Sequence, residues 1–174
     1  MAVEQARDQP AAPDVSLDLI EDLYREHAAR FRRVALAIVA NAETAEDVVQ
    51  DAFARAVVTR LTFRGVGPAE AWIWRIVVNT ALSRVRRARL EGRVLQTLTL
   101  GLRRAHVDSY EDDFRRHLAR LPERQRAALF LRYYADLDYD AIGHVLEVSP
   151  GTVGKMLHDA RARLRTALEG DERG

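Results

Sequence analysis

The sequence predicts an all-α protein made of two small helical domains joined by a flexible linker, and three observations carry that prediction. Apolar residues, mostly Ala, Leu and Val, recur at three- and four-residue steps through long stretches free of turn residues. Glycine and proline are sparse, 9 and 5 among 174 residues, and most of them fall where those stretches break. Charged residues at 30% and hydrophobic ones at 48% give the composition of a packed globular chain rather than a disordered one. At roughly 150 residues per domain, the length allows one domain or two small ones.

Residues 1–16, with Pro10 and Pro13, are expected to form a frayed arm. Leu17, Ile20, Leu23, Tyr24, Phe31, Val34, Ala35 and Ile38 then define one amphipathic helix. Asn41 to Thr44 interrupts it with cap-type residues, after which Ala45, Val48, Val49, Ala52, Phe53, Ala56 and Val57 repeat the helical period to about Arg60. The glycines of the Thr62 to Gly67 segment lead to Pro68, expected in the first turn of a third helix that ends near Arg89. Residues 17–89 thus read as a three-helix bundle. Residues 90–111 form the linker, with Gly92, Gly101 and no long period, although Leu95, Leu98, Leu100 and Leu102 can become ordered against the protein's own surface or a partner. Residues 112–168 read as a four-helix domain: one helix from Asp113 to Leu121, one opened by Pro122 and reaching Tyr134, a short one N-capped by Asp138, and a last one starting at Ser149-Pro150. Residues 169–174 are a tail.

The chain has no cysteine, so disulfides, thiolate nucleophiles and Cys-ligated metal centres are excluded. Its longest apolar run, Val34 to Ala40, is far short of the ~20 residues a bilayer span needs, and no basic-then-apolar leader opens the chain. The expectation is a soluble, cytoplasmic protein without membrane insertion. His27, His106, His117, His144 and His158 lie in different segments with no ligand spacing, no phosphate-cradling glycine loop and no Ser-His-acid arrangement. Neither an enzyme nor a metal or other cofactor is expected.

A net charge of +1 hides a strong segregation. Asn79 to Val107 holds seven basic residues against one acidic, while Met1 to Val78 and Asp108 to Ala160 each carry a net charge of −3. Such a local excess attracts phosphates without making the whole surface adhesive; a solvated helix face is the other reading of it. All basic side chains are Arg except Lys155.

Between Asp138 and Leu157, two short helices are joined by about three residues, with Gly143 where they cross and Ile142, Leu146, Val148, Val153 and Leu157 on their inner faces. This is a helix-turn-helix pattern, in which the second helix lies in the DNA major groove with its early residues near base edges. Those residues are Thr152, Lys155, Met156, His158 and Asp159. A tight hairpin used only for packing is the alternative, and the Ser-Pro-Gly-Thr-Val start favours DNA binding over it. Glu147 stands where a glycine usually makes the turn, at a cost on the order of 1 kcal/mol.

Four segments in register carry a family resemblance: Ala45-Glu46-Asp47-Val48-Val49-Gln50-Asp51-Ala52-Phe53, Ala71-Trp72-Ile73-Trp74-Arg75-Ile76-Val77-Val78-Asn79, Leu121-Pro122-Glu123-Arg124-Gln125-Arg126, and Gly151-Thr152-Val153 with Ala160-Arg161 and Leu164-Arg165. Together they resemble the sigma-70-type RNA polymerase sigma factors of the small extracytoplasmic-function (ECF) group, over about Leu17 to Leu168. The resemblance implies two helical domains, region 2 (residues 17–89) and region 4 (residues 112–168). It implies a non-enzymatic protein that binds core RNA polymerase through the β′ clamp helices and the β subunit, directs it to promoter DNA and helps open the duplex.

On the same resemblance, Glu46, Asp47, Gln50, Asp51 and Phe53 occupy the polymerase-docking motif, and an acidic, partly apolar face suits a basic partner. Phe63, Arg64, Trp72, Arg75 and Asn79 form the pocket for unstacked minus-10 bases, with Arg84, Arg86, Arg87 and Arg89 tracking phosphates. Trp72 and Trp74 point roughly 200° apart on a helix, so only one of them can face DNA. The position four after the matching asparagine, often acidic in the family, is Ser83. Thr152, Lys155, Met156, His158, Asp159 and Arg161 form the minus-35 set. Gly154 and Asp159 stand where the family places basic residues, which implies an atypical upstream element. An anti-sigma factor wedged between the two domains fits the leucine-bearing linker. The competing reading is a helix-turn-helix regulator that never touches polymerase, in which the acidic-Gln-Phe helix would have no purpose.

Overall fold

The structure is a computed structural model that describes residues 15–63, 65, 68–91 and 109–171. Its first half is a bundle of α1 (Leu17–Val39), α2 (Ala42–Thr59) and α3 (Ala69–Leu90), with a 3-10 turn at Arg60–Thr62. Its second half holds α4 (Ser109–Arg120), α5 (Glu123–Tyr133), α6 (Tyr139–Leu146) and α7 (Pro150–Asp171).

Local capping explains where most of these helices begin. Ser16 Oγ accepts from the Leu19 amide at 3.1 Å, Asn41 Oδ1 from Thr44 at 2.8 Å, Asp138 Oδ1 from Ala141 at 2.7 Å and Ser149 Oγ from Thr152 at 3.2 Å, each satisfying one orphan N–H of a first turn. Pro68 departs from expectation. It takes the extended cap position (ψ 144°) instead of the first helical turn, and Ala69 starts the helix. Pro122 does the same before α5.

The expected boundaries shift at several ends. Residues 1–14 of the arm lie outside the described residues, but Val15 is buried in the core and Ser16 is the cap of α1. Most of the expected linker also lies outside them, with α3 running to Leu90 and α4 beginning at Ser109. The final helix extends to Asp171, past the expected end at Leu168.

The two halves share a boundary. α1 packs against α5, and α3 packs against α6. Arg126 sits at their junction, only 3% exposed. Its Nη1 donates to Ala119 O at 2.8 Å and Leu118 O at 3.3 Å at the end of α4, and its Nη2 donates to Ile38 O at 3.0 Å near the end of α1. One cation thereby serves the unsatisfied carbonyls, and the negative dipole ends, of two helices from different halves. Burial holds this guanidinium below its ordinary pKa; Glu123 raises it again and Arg89 lowers it. An arginine so shifted is still a cation at neutral pH. Arg30 adds a hydrogen bond to Ala135 O at 2.6 Å, and Arg33 stacks over the Tyr134 ring at 5.1 Å.

Candidate nucleic-acid interface

On α3, steps of three, four and seven residues place Trp72, Arg75, Asn79 and Arg86 along one ridge. Phe63 joins it from the preceding loop, its ring tilted against Trp72 at 5.5 Å between centroids. Phe63, Trp72 and Arg75 line a cleft of about 590 Å³, and Asn79 and Arg86 line a second of about 620 Å³. Trp74 points the other way. It is fully buried, donates Nε1 to Glu70 at 3.1 Å and packs on Phe31 at 4.2 Å. Both indoles are therefore buried in the core, Trp74 completely and Trp72 to 8% exposure, and it is Trp72 that lines the cleft.

Not every side chain in the expected set lies there. Arg84 is roughly 120° round the helix from Trp72 and pairs with Asp51 of α2. Arg87 is exposed next to the ridge, and Arg64 lies outside the described residues.

The expected docking residues of α2 divide in the same way. Asp47 and Gln50 are exposed. Glu46 is held by Arg32 at 3.2 Å, and Asp51 by Arg84. Phe53 is core: 7% exposed, with its ring edge-on to Tyr24 and Phe31 at 5.0 and 5.3 Å. The helical period of the sequence also assigned Val57 to the inner face, yet it is exposed. Ala54, Val57, Val58 and Leu61 continue the Asp47–Gln50 face, with Val58 79% and Leu61 72% exposed.

In the helix-turn-helix, Glu147 takes the left-handed turn conformation at φ 56°, ψ 48°. A Cβ on Gly143 would stand 2.8 Å from the Val148 carbonyl oxygen, so only glycine lets the turn come this close. Thr152, Lys155 and Asp159 share one face of α7, with exposed His158 at its edge and half-buried Met156 packed on the core. Thr152 Oγ1 bonds Ser149 Oγ at 2.9 Å. Arg161 lies on the opposite side, donating to Leu157 O at 3.1 Å and reaching the Tyr133 hydroxyl at 3.4 Å.

An aromatic and basic ridge on one bundle and a helix-turn-helix on the other define a two-part nucleic-acid-binding protein. Comparison with known proteins narrows the class. Residues 23–91 match Sigma-70 region 2, and residues 111–164 match Sigma-70, region 4. The chain is 32% identical over 150 residues to the ECF RNA polymerase sigma factor SigM of Mycobacterium tuberculosis, covering 85% of this chain and 76% of that one. It is 33% identical over 165 residues to the ECF RNA polymerase sigma factor SigE of Mycolicibacterium smegmatis, covering 85% of this chain and spanning 61% of the relative's length. A solved structure of the sigma factor RpoE in complex with the anti-sigma factor NepR from Bartonella quintana shares the fold, with a TM-score of 0.69 at 24% identity over 86% of this chain and 98% of that one. The chain belongs to the ECF group of sigma-70 RNA polymerase sigma factors. The regulator that never meets polymerase is not favoured. No helix among the described residues is long and apolar enough to cross a membrane.

Proposed function

We propose that this sigma factor docks on core RNA polymerase through the exposed stripe of α2, holds opened minus-10 DNA on the α3 ridge and reads an upstream element with α7. The observation that carries the reading is the alignment of Phe63, Trp72, Arg75, Asn79 and Arg86 along one edge of α3, with Trp74 turned into the core. Aromatic faces beside arginines are what an unpaired base and its phosphate require. The α2 stripe joins two carboxylate or amide groups to an apolar strip, which suits a basic partner surface with an apolar centre. On this reading the role is non-enzymatic and cytoplasmic, the domains are residues 17–89 and 112–168, and an anti-sigma factor is a further partner.

Run-off transcription with purified core and an Arg75→Ala variant tests the ridge. The variant should lose most initiation on duplex promoters while binding core normally, and should recover on a template already opened at the minus-10 position. Equal activity of variant and parent on duplex DNA would remove the ridge from the mechanism.

A further inference from the structure

A cavity of about 250 Å³ lies between α1 on one side and α4 and α5 on the other, and it shares no lining residue with either cleft of the α3 ridge. Leu36, Ala37, Ala40, Leu118, Ala119 and Phe130 make its wall apolar. Among the described residues that line it, the polar ones are Arg33 and Arg126, and none is acidic. Both arginines have donors to spare. Arg33 is exposed, stacks on the Tyr134 ring and pairs with no carboxylate among the described residues. Arg126 is 3% exposed and spends its Nη groups on helix carbonyls, while its Nε–H is buried without a partner. A buried donor left unpaired is costly, and desolvation already holds the pKa of this guanidinium down. An acceptor oxygen carrying negative charge relieves both.

We infer that this cavity is a binding site for a small amphiphilic carboxylic acid, with its hydrocarbon tail among the leucines, alanines and Phe130 and its carboxylate against Arg33 and Arg126. A predominantly apolar wall with a few convergent polar groups is the ordinary form of a small-ligand site. The planar donor fork of a guanidinium fits a carboxylate in particular. At roughly 30 Å³ for a water-sized group, the cavity takes about eight such groups, so a straight chain of about eight carbons fills it. A bound acid touches residues of both halves, yet it leaves the α3 ridge, the α2 stripe and the exposed face of α7 uncovered. The site is thus separate from the surfaces assigned above to polymerase and DNA.

Titration calorimetry of the full chain with straight-chain sodium carboxylates, each kept below its micelle concentration, tests the site. Affinity should rise about fourfold per methylene from butanoate to octanoate, and level off beyond it because the cavity is then full. The uncharged 1-octanol should bind about tenfold more weakly than octanoate. Arg33→Gln should weaken octanoate by a similar factor, about tenfold, and Ala37→Phe should abolish binding by filling the space. Circular dichroism checks that both variants keep the parent's helicity. Arg33 is exposed, so its variant keeps the test decisive even if Ala37→Phe does not fold. No heat with octanoate, or octanoate binding that survives a folded Ala37→Phe variant, would overturn the inference. So would equal affinity for octanoate and octanol, or an affinity still climbing at dodecanoate, since each marks a featureless apolar surface.

Discussion

Replacing Arg126 by methionine should unfold the junction between the two halves at a cost that the structure lets us work out. The guanidinium donates to Ala119 O at 2.8 Å and Ile38 O at 3.0 Å, with longer contacts to Leu118 O and Leu121 O at 3.3 and 3.5 Å. Methionine preserves much of the apolar stem but takes the guanidinium donor from Ala119 O and Ile38 O. Each hydrogen bond to a charged group is worth about 1.5–3 kcal/mol, and the desolvation of the buried cation, regained on its removal, offsets part of two such bonds. The net loss should be about 3 kcal/mol. With a urea slope of about 2 kcal/mol per molar, the unfolding midpoint should fall by roughly 1.5 M. Arg126→Lys should lose somewhat less, because its ammonium can still serve one of the two helix ends. A midpoint shift below about 0.3 M for the methionine variant would refute the assignment of Arg126 as the shared cap.

Three further outcomes are expected. Gly143→Ala gains about 1 kcal/mol of helix propensity but drives a Cβ to 2.8 Å from the Val148 carbonyl, so net destabilisation of about 1–2 kcal/mol should appear in thermal unfolding. Val58→Asp should leave stability within about 0.5 kcal/mol, since the side chain is 79% exposed, yet weaken binding to core polymerase about tenfold in a surface-immobilised titration. Selection of randomised duplexes by the helix-turn-helix half should return an atypical upstream motif, because Gly154 has no side chain and Asp159 repels phosphate; strong enrichment of the family's common upstream motif would contradict this.

What could be read from the sequence was local. Asp138 and Ser149 announce their helices because a cap needs only a side chain and an amide three residues on. The long helices follow from a 3.6-residue period, and the turn at Glu147 from its position between two apolar faces. What was not legible depends on contacts across the chain. Phe53 fits both the docking motif and the apolar period of its helix, and only its packing on Tyr24 and Phe31 decides for the core. Nothing near Arg126 in sequence reveals that its partner is the carbonyl of Ile38, 88 residues away. Arg84 reads as one of a run of cations, and only the α2–α3 packing turns it toward Asp51 and off the ridge. The packing of α1 on α5 and of α3 on α6 is likewise invisible to periodicity, which reports the faces of one helix at a time.

The most direct measurement is the association of the purified full chain with core RNA polymerase, followed by initiation on promoter-bearing fragments. A stable one-to-one complex that yields discrete transcripts absent with core alone is the predicted result. A folded chain that neither joins the enzyme nor changes what it transcribes, in the absence of any inhibitor, would contradict the account at its root.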